Sequence, residues 1–264
     1  MNQFILQQQT GLLKYRDWFL TKLSKLYSLF PRHSIFREEW DNCIILDACR
    51  YDIFKRVNWL DGSLEKINSV ATHTIPFCHR TFTKEKYDDT ILLSANPHVD
   101  REVGDKFHDI IPIWKQEKEE HGTTVPKLFV KPVRDTTIKY PNKRLLLWFI
   151  QPHTPYLGYG YQKDPRAFVY GMQSKEFLKQ YQLFFWAHLS QRELRKRYVQ
   201  NLIKVLMVCE KLLDILRGTT VITSDHGEAL GERIPFTPIR IYGHYNDIKT
   251  LKMIEVPYLT IPRP

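Results

Sequence analysis

Three short apolar runs in this chain end in side chains whose types suit one kind of chemistry. Asn42-Cys-Ile-Ile-Leu leads into Asp47. Leu145-Leu-Leu-Trp-Phe-Ile150 leads into Gln-Pro-His153, and Thr219-Thr-Val-Ile-Thr223 leads into Ser-Asp225-His226-Gly227. Carboxylates are hard oxygen donors and a neutral imidazole is a nitrogen donor, a mixture that suits a divalent cation such as zinc, manganese, magnesium or calcium. One aspartate at the end of a strand is usually a turn or helix cap. Three run ends carrying metal-type donors are much harder to explain as caps.

Something must bring those ends to one place. An apolar run of this length fits a strand buried on both faces of a parallel sheet, and Val256-Pro-Tyr-Leu-Thr-Ile261 adds a fourth. Ahead of the third run, Ser190 and Glu193 form a capping box. Leu194, Tyr198, Leu202, Leu206, Cys209 and Leu213 then make one apolar stripe, and Gly218 supplies the stop. A helix feeding tightly into an apolar strand is half of a βαβ crossover. The expected fold is therefore α/β: a three-layer sandwich with a mostly parallel central sheet, helices on both faces, and the site outside the carboxyl ends of the strands. Residues 1–40 read as an N-terminal amphipathic helical appendage, and residues 41–264 as the catalytic domain. Within the appendage Leu12, Tyr15, Phe19, Leu23, Leu26 and Phe30 recur at helical spacing, interleaved with Lys14, Arg16, Lys22 and Lys25, and Pro31 ends the segment.

The longer motifs resemble those of a known family. Ser224-Asp-His-Gly-Glu-Ala-Leu-Gly-Glu232, followed by Tyr242-Gly-His244 and Val256-Pro257, is similar to the C-terminal metal signature of sulfatases and their relatives in the alkaline phosphatase superfamily. Ile44-Ile-Leu-Asp-Ala-Cys-Arg-Tyr-Asp52 resembles that family's opening strand. Gln151-Pro-His-Thr-Pro-Tyr156 resembles its central histidine motif, all in the family's order. Asn96-Pro97-His98 resembles an Asn-Pro element of archaeal-type sulfatase-like proteins; the residues themselves read as a turn, with no role for His98. The resemblance implies the alkaline-phosphatase-like fold. It also implies a bridging metal held by Asp47, Asp225 and His226, with a nucleophile on the loop after the first strand. His153 would contact substrate or leaving group, and His244 a second metal or substrate.

The nucleophile loop departs from true sulfatases. Formylglycine formation needs Cys or Ser with Pro two positions on and Arg four on, and neither Cys49 nor Cys78 has that context. Within Ser69-Val-Ala-Thr-His-Thr-Ile-Pro-Phe-Cys78 the first choice is Thr74, then Thr72 and Ser69, and a bound cation would activate the hydroxyl as well as be ligated by it. The plainer alternative is that these hydroxyls cap a helix running through Arg80 and Phe82. Arg50 is placed either to clamp anionic oxygens or to pair with Asp52. Glu228 and Glu232 would shape the metal-site loop, with Glu228 next to the ligands. One cation is the starting expectation; Asp52, His73, His79 and His244 are the candidates for holding a second.

The reaction this predicts is metal-dependent hydrolysis of phosphate or sulfate esters, the missing formylglycine context favouring phosphate. Metal-bound Thr74 attacks in line, Arg50 or His153 neutralises developing charge, and His153 or His244 helps the leaving oxygen depart. Two other readings differ in class: a phospho-headgroup transferase at a membrane surface, and an inactive relative that binds anionic ligands. A formal charge of +10 over 264 residues suits anionic partners, whether small-molecule, glycan or lipid-headgroup esters. No recognised motif supports nucleic acid. Cys43, Cys49, Cys78 and Cys209 form no CxxC pair and read as reduced thiols. With neither a signal-peptide pattern nor an apolar run of about 18 residues, a cytoplasmic location is expected, with peripheral contact at the inner membrane surface through residues 11–30.

Overall fold

The computed structural model describes Trp18, Lys22 and Lys25, then residues 31–116, 123–158, 190–233, 240–244 and 250–263. Most of the expected amphipathic segment at 11–30 lies outside the described residues. The three that are described there are helical and exposed. Among the described residues, no helix is long and apolar enough to cross a membrane.

Among the described residues, seven strands form the central sheet: β1 (Asn42–Leu46), β2 (Ser63–Asn68), β3 (Tyr87–Ser94), β4 (Phe107–Pro112), β5 (Arg144–Phe149), β6 (Thr220–Thr223) and β9 (Glu255–Ile261). Their order is β2-β9-β6-β1-β5-β3-β4, and β7 (Ala229–Arg233) pairs with β8 (Arg240–Gly243) in a separate ribbon. The pairs β1–β5, β1–β6, β3–β5 and β3–β4 are parallel. Only β9 runs against its neighbours β6 and β2. The sheet is thus mostly parallel, as the apolar runs predict.

Alternation along β1 shows why the run is apolar throughout. Ile44 and Leu46 face one layer, with Phe54 of α1 (Tyr51–Val57), Val133 of α4 (Val130–Lys139), and Tyr198, Leu202 and Leu206 of α5 (Gln191–Leu213). Cys43 and Ile45 face the other layer, with Phe77 of α2 (Thr74–Thr81) and Val99 of α3 (Pro97–Val103). Burying such a side chain fully is worth about 1.5–3 kcal/mol, so a polar residue in either set would be costly. The expected cap of α5 forms, with Ser190 Oγ accepting from Glu193 N–H at 3.1 Å. All four cysteines are buried and free.

Ahead of β1, Ile35 and Trp40 are buried in the second layer, and Trp40 Nε1 donates to the Ile35 carbonyl at 2.9 Å.

Candidate active site

Five strand ends converge at one edge. β1 delivers Asp47, β6 delivers Ser224, Asp225 and His226, and β5 leads to His153. β3 leads to Asn96, and β2 leads to Ser69. The turn after β1 is sharp: Ala48 sits at φ 59°, a conformation uncommon for a residue with a Cβ. That turn points two amides at the neighbouring strand end. Ala48 N–H donates to Asp225 Oδ1 (3.1 Å) and Cys49 N–H to Ser224 Oγ (2.8 Å). Asp225 Oδ1 also accepts from His226 N–H at 2.9 Å. Ser69 Oγ donates to the Asp225 carbonyl.

Asp47, Asp225 and His226 form one buried donor set, with ligand atoms within 4.8 Å of one another. His226 Nε2 is 3.3 Å from Asp225 Oδ2 and 3.7 Å from Asp47 Oδ1. Its other nitrogen, Nδ1, lies 2.9 Å from the Gly227 carbonyl, which can only accept. A proton on Nδ1 satisfies that carbonyl, which leaves Nε2 as the ring atom facing the two carboxylates. Burial and the neighbouring Asp225 push the Asp47 carboxyl well above its ordinary range. Among the described residues, the ion pairs of Asp47 and Asp225 run only to His226. Three lone-pair donors facing one another without a Lys or Arg fit a divalent cation, which would supply the missing positive charge.

Of the three candidate hydroxyls, Thr74 is the one that enters this set. Its Oγ1 donates to Asp225 Oδ2 at 2.8 Å and lies 3.4 Å from His226 Nε2. Thr74 opens α2, where the positive end of the helix favours an ionising oxygen. The helix cap is His73, whose Nδ1 accepts from Ile75 N–H at 3.4 Å, so the cap expected of the hydroxyls comes from an imidazole. Ser69 is a support for the Asp225 backbone, and Thr72 is buried.

A second donor set lies beside the first: His153, Glu228 and His244. Glu228 Oε1 is 3.1 Å from His244 Nδ1, and Oε2 is 3.8 Å from His153 Nε2. The ring centres of His226 and His244 are 4.3 Å apart, so the two sets share a wall. His73 stands 5.1 Å from His244 and 6.3 Å from His226, ring to ring. Burial holds the His153 ring down to about 4 and the His73 ring to about 2, and it pushes His244 well below its ordinary value. At neutral pH these rings are lone-pair donors. That suits ligation or proton acceptance.

Other candidates fall elsewhere. Arg50 pairs with Asp52 and also with Glu232, so its fork is spent on carboxylates and is not presented as a clamp. Asp52 is further held by Lys252. His79 is exposed and pairs with Glu102. Two residues gain importance over the sequence reading: Glu228, now inside a donor set, and Asn96, whose Nδ2 donates to Asp47 Oδ2 at 2.8 Å. The Asp-His-Gly-Glu spacing was a signal for the first. For the second, Asn96-Pro97-His98 carried a turn signal and the family resemblance, but nothing local named Asp47 as the partner.

No protein-family model and no curated sequence matches the chain. Solved structures do share its fold. One is the integral membrane protein lipooligosaccharide phosphoethanolamine transferase A from Neisseria meningitidis, with TM-score 0.57 and 13% identity over 97% of this chain and 54% of that one. Another is the C-terminal periplasmic domain of EcEptC from Escherichia coli in complex with zinc, with TM-score 0.53 and 15% identity over 89% of this chain and 77% of that one. A third is a protein in the alkaline phosphatase superfamily from Vibrio parahaemolyticus, with TM-score 0.50 and 8% identity over 94% and 69%. The chain spans about half the length of the Neisseria transferase.

Proposed function

We propose that this chain, which has the fold of the alkaline phosphatase superfamily, is a metal-dependent hydrolase of phosphate or sulfate esters with Thr74 as its nucleophile. The observation that carries the reading is the Thr74 hydroxyl at 2.8 Å from Asp225 Oδ2, inside a buried Asp-Asp-His donor set. Asp47, Asp225 and His226 would hold a divalent cation, which would supply the positive charge that lowers the hydroxyl's pKa and balances the ester's nonbridging oxygens.

The chain's own residues do the rest. Asp225 accepts the Thr74 hydrogen bond and so aims Oγ1 along one direction. Thr74, its proton given up to solvent, bonds through Oγ1 to phosphorus as the bond to the leaving oxygen breaks in line; the leaving oxygen keeps the electron pair and is protonated by water, and a phosphothreonine ester remains. Neutral His153 and His244 stand beside this centre with Glu228, placed to accept a proton from the water that hydrolyses that ester or to hold a second cation. Asp47, Asp225 and His226 are buried, whereas His153 and His244 are half-buried, the side from which substrate and water would reach the centre. The absent formylglycine context favours phosphate over sulfate. The substrate class is an anionic ester of a small molecule, a glycan or a lipid headgroup.

The test is metal content after reconstitution with zinc, manganese, magnesium or calcium, together with cleavage of aryl phosphate mono- and diesters and aryl sulfate. Wild type should bind metal and cleave phosphate esters. Asp225→Ala should lose both. Thr74→Ala should keep metal and lose turnover by a factor on the order of 10³ or more, with Thr74→Ser recovering part of it. Product carried to an added alcohol in preference to water would make the enzyme a transferase. A wild-type protein that takes up no metal under any of these conditions would sink the reading.

A further inference from the structure

Asn96 is almost fully buried and both ends of its amide are committed. Its Oδ1 accepts from His98 N–H at 2.9 Å, capping α3. An amide N–H can be received only by the oxygen end, so the NH2 end must face the other way. There Nδ2 donates to Asp47 Oδ2 at 2.8 Å. The residue is itself locked from behind. Ser94 Oγ accepts from Asn96 N–H and donates to the Asn96 carbonyl, each at 3.0 Å. The consequence lies on the other oxygen of the carboxylate. Asp47 Oδ1 is the atom 3.7 Å from His226 Nε2, on the side of the donor set.

We infer that Asn96 is a positioning residue for the cation: by holding Asp47 Oδ2 it reserves Oδ1 as a single-oxygen ligand and disfavours two-oxygen coordination. This rests on the reading of Asp47 as a metal ligand. A carboxylate confined to one oxygen suits a small ion of low coordination number such as zinc. Calcium takes six to eight oxygens and readily uses both oxygens of one carboxylate. The cap fixes Asn96 to α3 and the Ser94 bonds fix it to the end of β3, so the Asp47 carboxylate is set by two elements separate from its own strand.

Capping and positioning can be separated. Asn96→Ser keeps an oxygen for His98 N–H but is too short to reach Asp47, whereas Asn96→Ala removes both bonds. Zinc and calcium binding to the full chain would be titrated calorimetrically, with thermal unfolding of the metal-free proteins alongside. Asn96→Ser should unfold close to wild type yet bind zinc roughly 10–100-fold more weakly, with calcium affected less. Asn96→Ala should lose zinc affinity to the same degree and also unfold at a lower temperature. Should the serine variant not fold, Asn96→Thr keeps a capping oxygen and is read by the same titration. Unchanged zinc affinity and an unchanged zinc-to-calcium ratio in a cap-keeping variant overturn this inference alone. A wild-type chain that binds neither ion removes the reading beneath it as well.

Discussion

Arg50 Nη1 donates to Glu232 Oε1 at 2.6 Å, joining the turn after β1 to β7. The same guanidinium uses Nε and Nη2 on the two oxygens of Asp52, at 2.9 and 2.8 Å, and Nη1 also reaches the Glu228 carbonyl at 3.2 Å. The carboxylates hold the Arg50 side chain above its ordinary pKa, and Arg50 holds Asp52 below its own. Arg195 Nη2 adds a second donor to Glu232 at 2.9 Å. The network ties the strand that delivers Asp47, the ribbon beyond Glu228 and the long helix into one unit.

Removing that fork should cost stability. Arg50→Ala leaves two partly buried carboxylates short of a partner, and a loss of about 2–4 kcal/mol is expected in denaturant unfolding. Arg50→Lys should recover only part of it, because an ammonium cannot serve Asp52 with two parallel bonds while reaching Glu232. If Arg50 instead held substrate, the lysine variant would unfold like wild type and lose kcat/KM.

Gly227 admits no side chain. A Cβ there would lie 2.1 Å from the Lys252 carbonyl oxygen, and Gly227 N–H donates to the Met253 carbonyl at 2.7 Å. The obstacle is backbone, so it cannot rotate away. Gly227→Ala should destabilise by about 1–3 kcal/mol and displace His226 from Asp225. Metal uptake should fall in the folded fraction, which calorimetry on the purified variant would show.

The metal-free protein should lose stability in mild acid. His153 has its folded-state value lowered from 6.5 to about 4, so the folded form binds fewer protons than the unfolded chain between those limits. Its contribution is therefore fully present above pH 6.5 and is lost as pH falls toward 4. His73 and His244 shift in the same direction. Melting temperatures of the chelated protein should drop across this window, and His153→Gln should flatten the dependence of stability on pH by about 1 kcal/mol per pH unit. An equal slope in both proteins would assign the acid sensitivity elsewhere.

The strands that carry Asp47, His153 and Asp225 were legible because burial on both faces leaves an unbroken apolar run. The run of β9 was legible for the same reason, whereas β2, β3 and β4 were not. β2 is an edge strand of sequence Ser-Leu-Glu-Lys-Ile-Asn with mostly exposed side chains. β3 begins Tyr-Asp-Asp, and β4 ends in proline. The reversal of β9 left no trace either, since a run buried on both faces reads alike in both directions. Among site residues, Asp47, Asp225 and His226 could be read from position at the ends of runs. The bond from Asn96 to Asp47 could not, because the partner is 49 residues away and Asn96-Pro97-His98 by itself reads as a turn. Arg50 offered two partners, and Glu232, the one that completes its pairing, is 182 residues distant.

Asp225 and His226 belong to the first donor set and Glu228 to the second, with Gly227 alone between them. Three consecutive residues span at most about 10 Å of extended chain, so neither set can rearrange without pulling on the other. Two cations would therefore be coupled through this segment, and the coupling must be reciprocal: whatever factor the first ion applies to the affinity of the second, the second applies to the first.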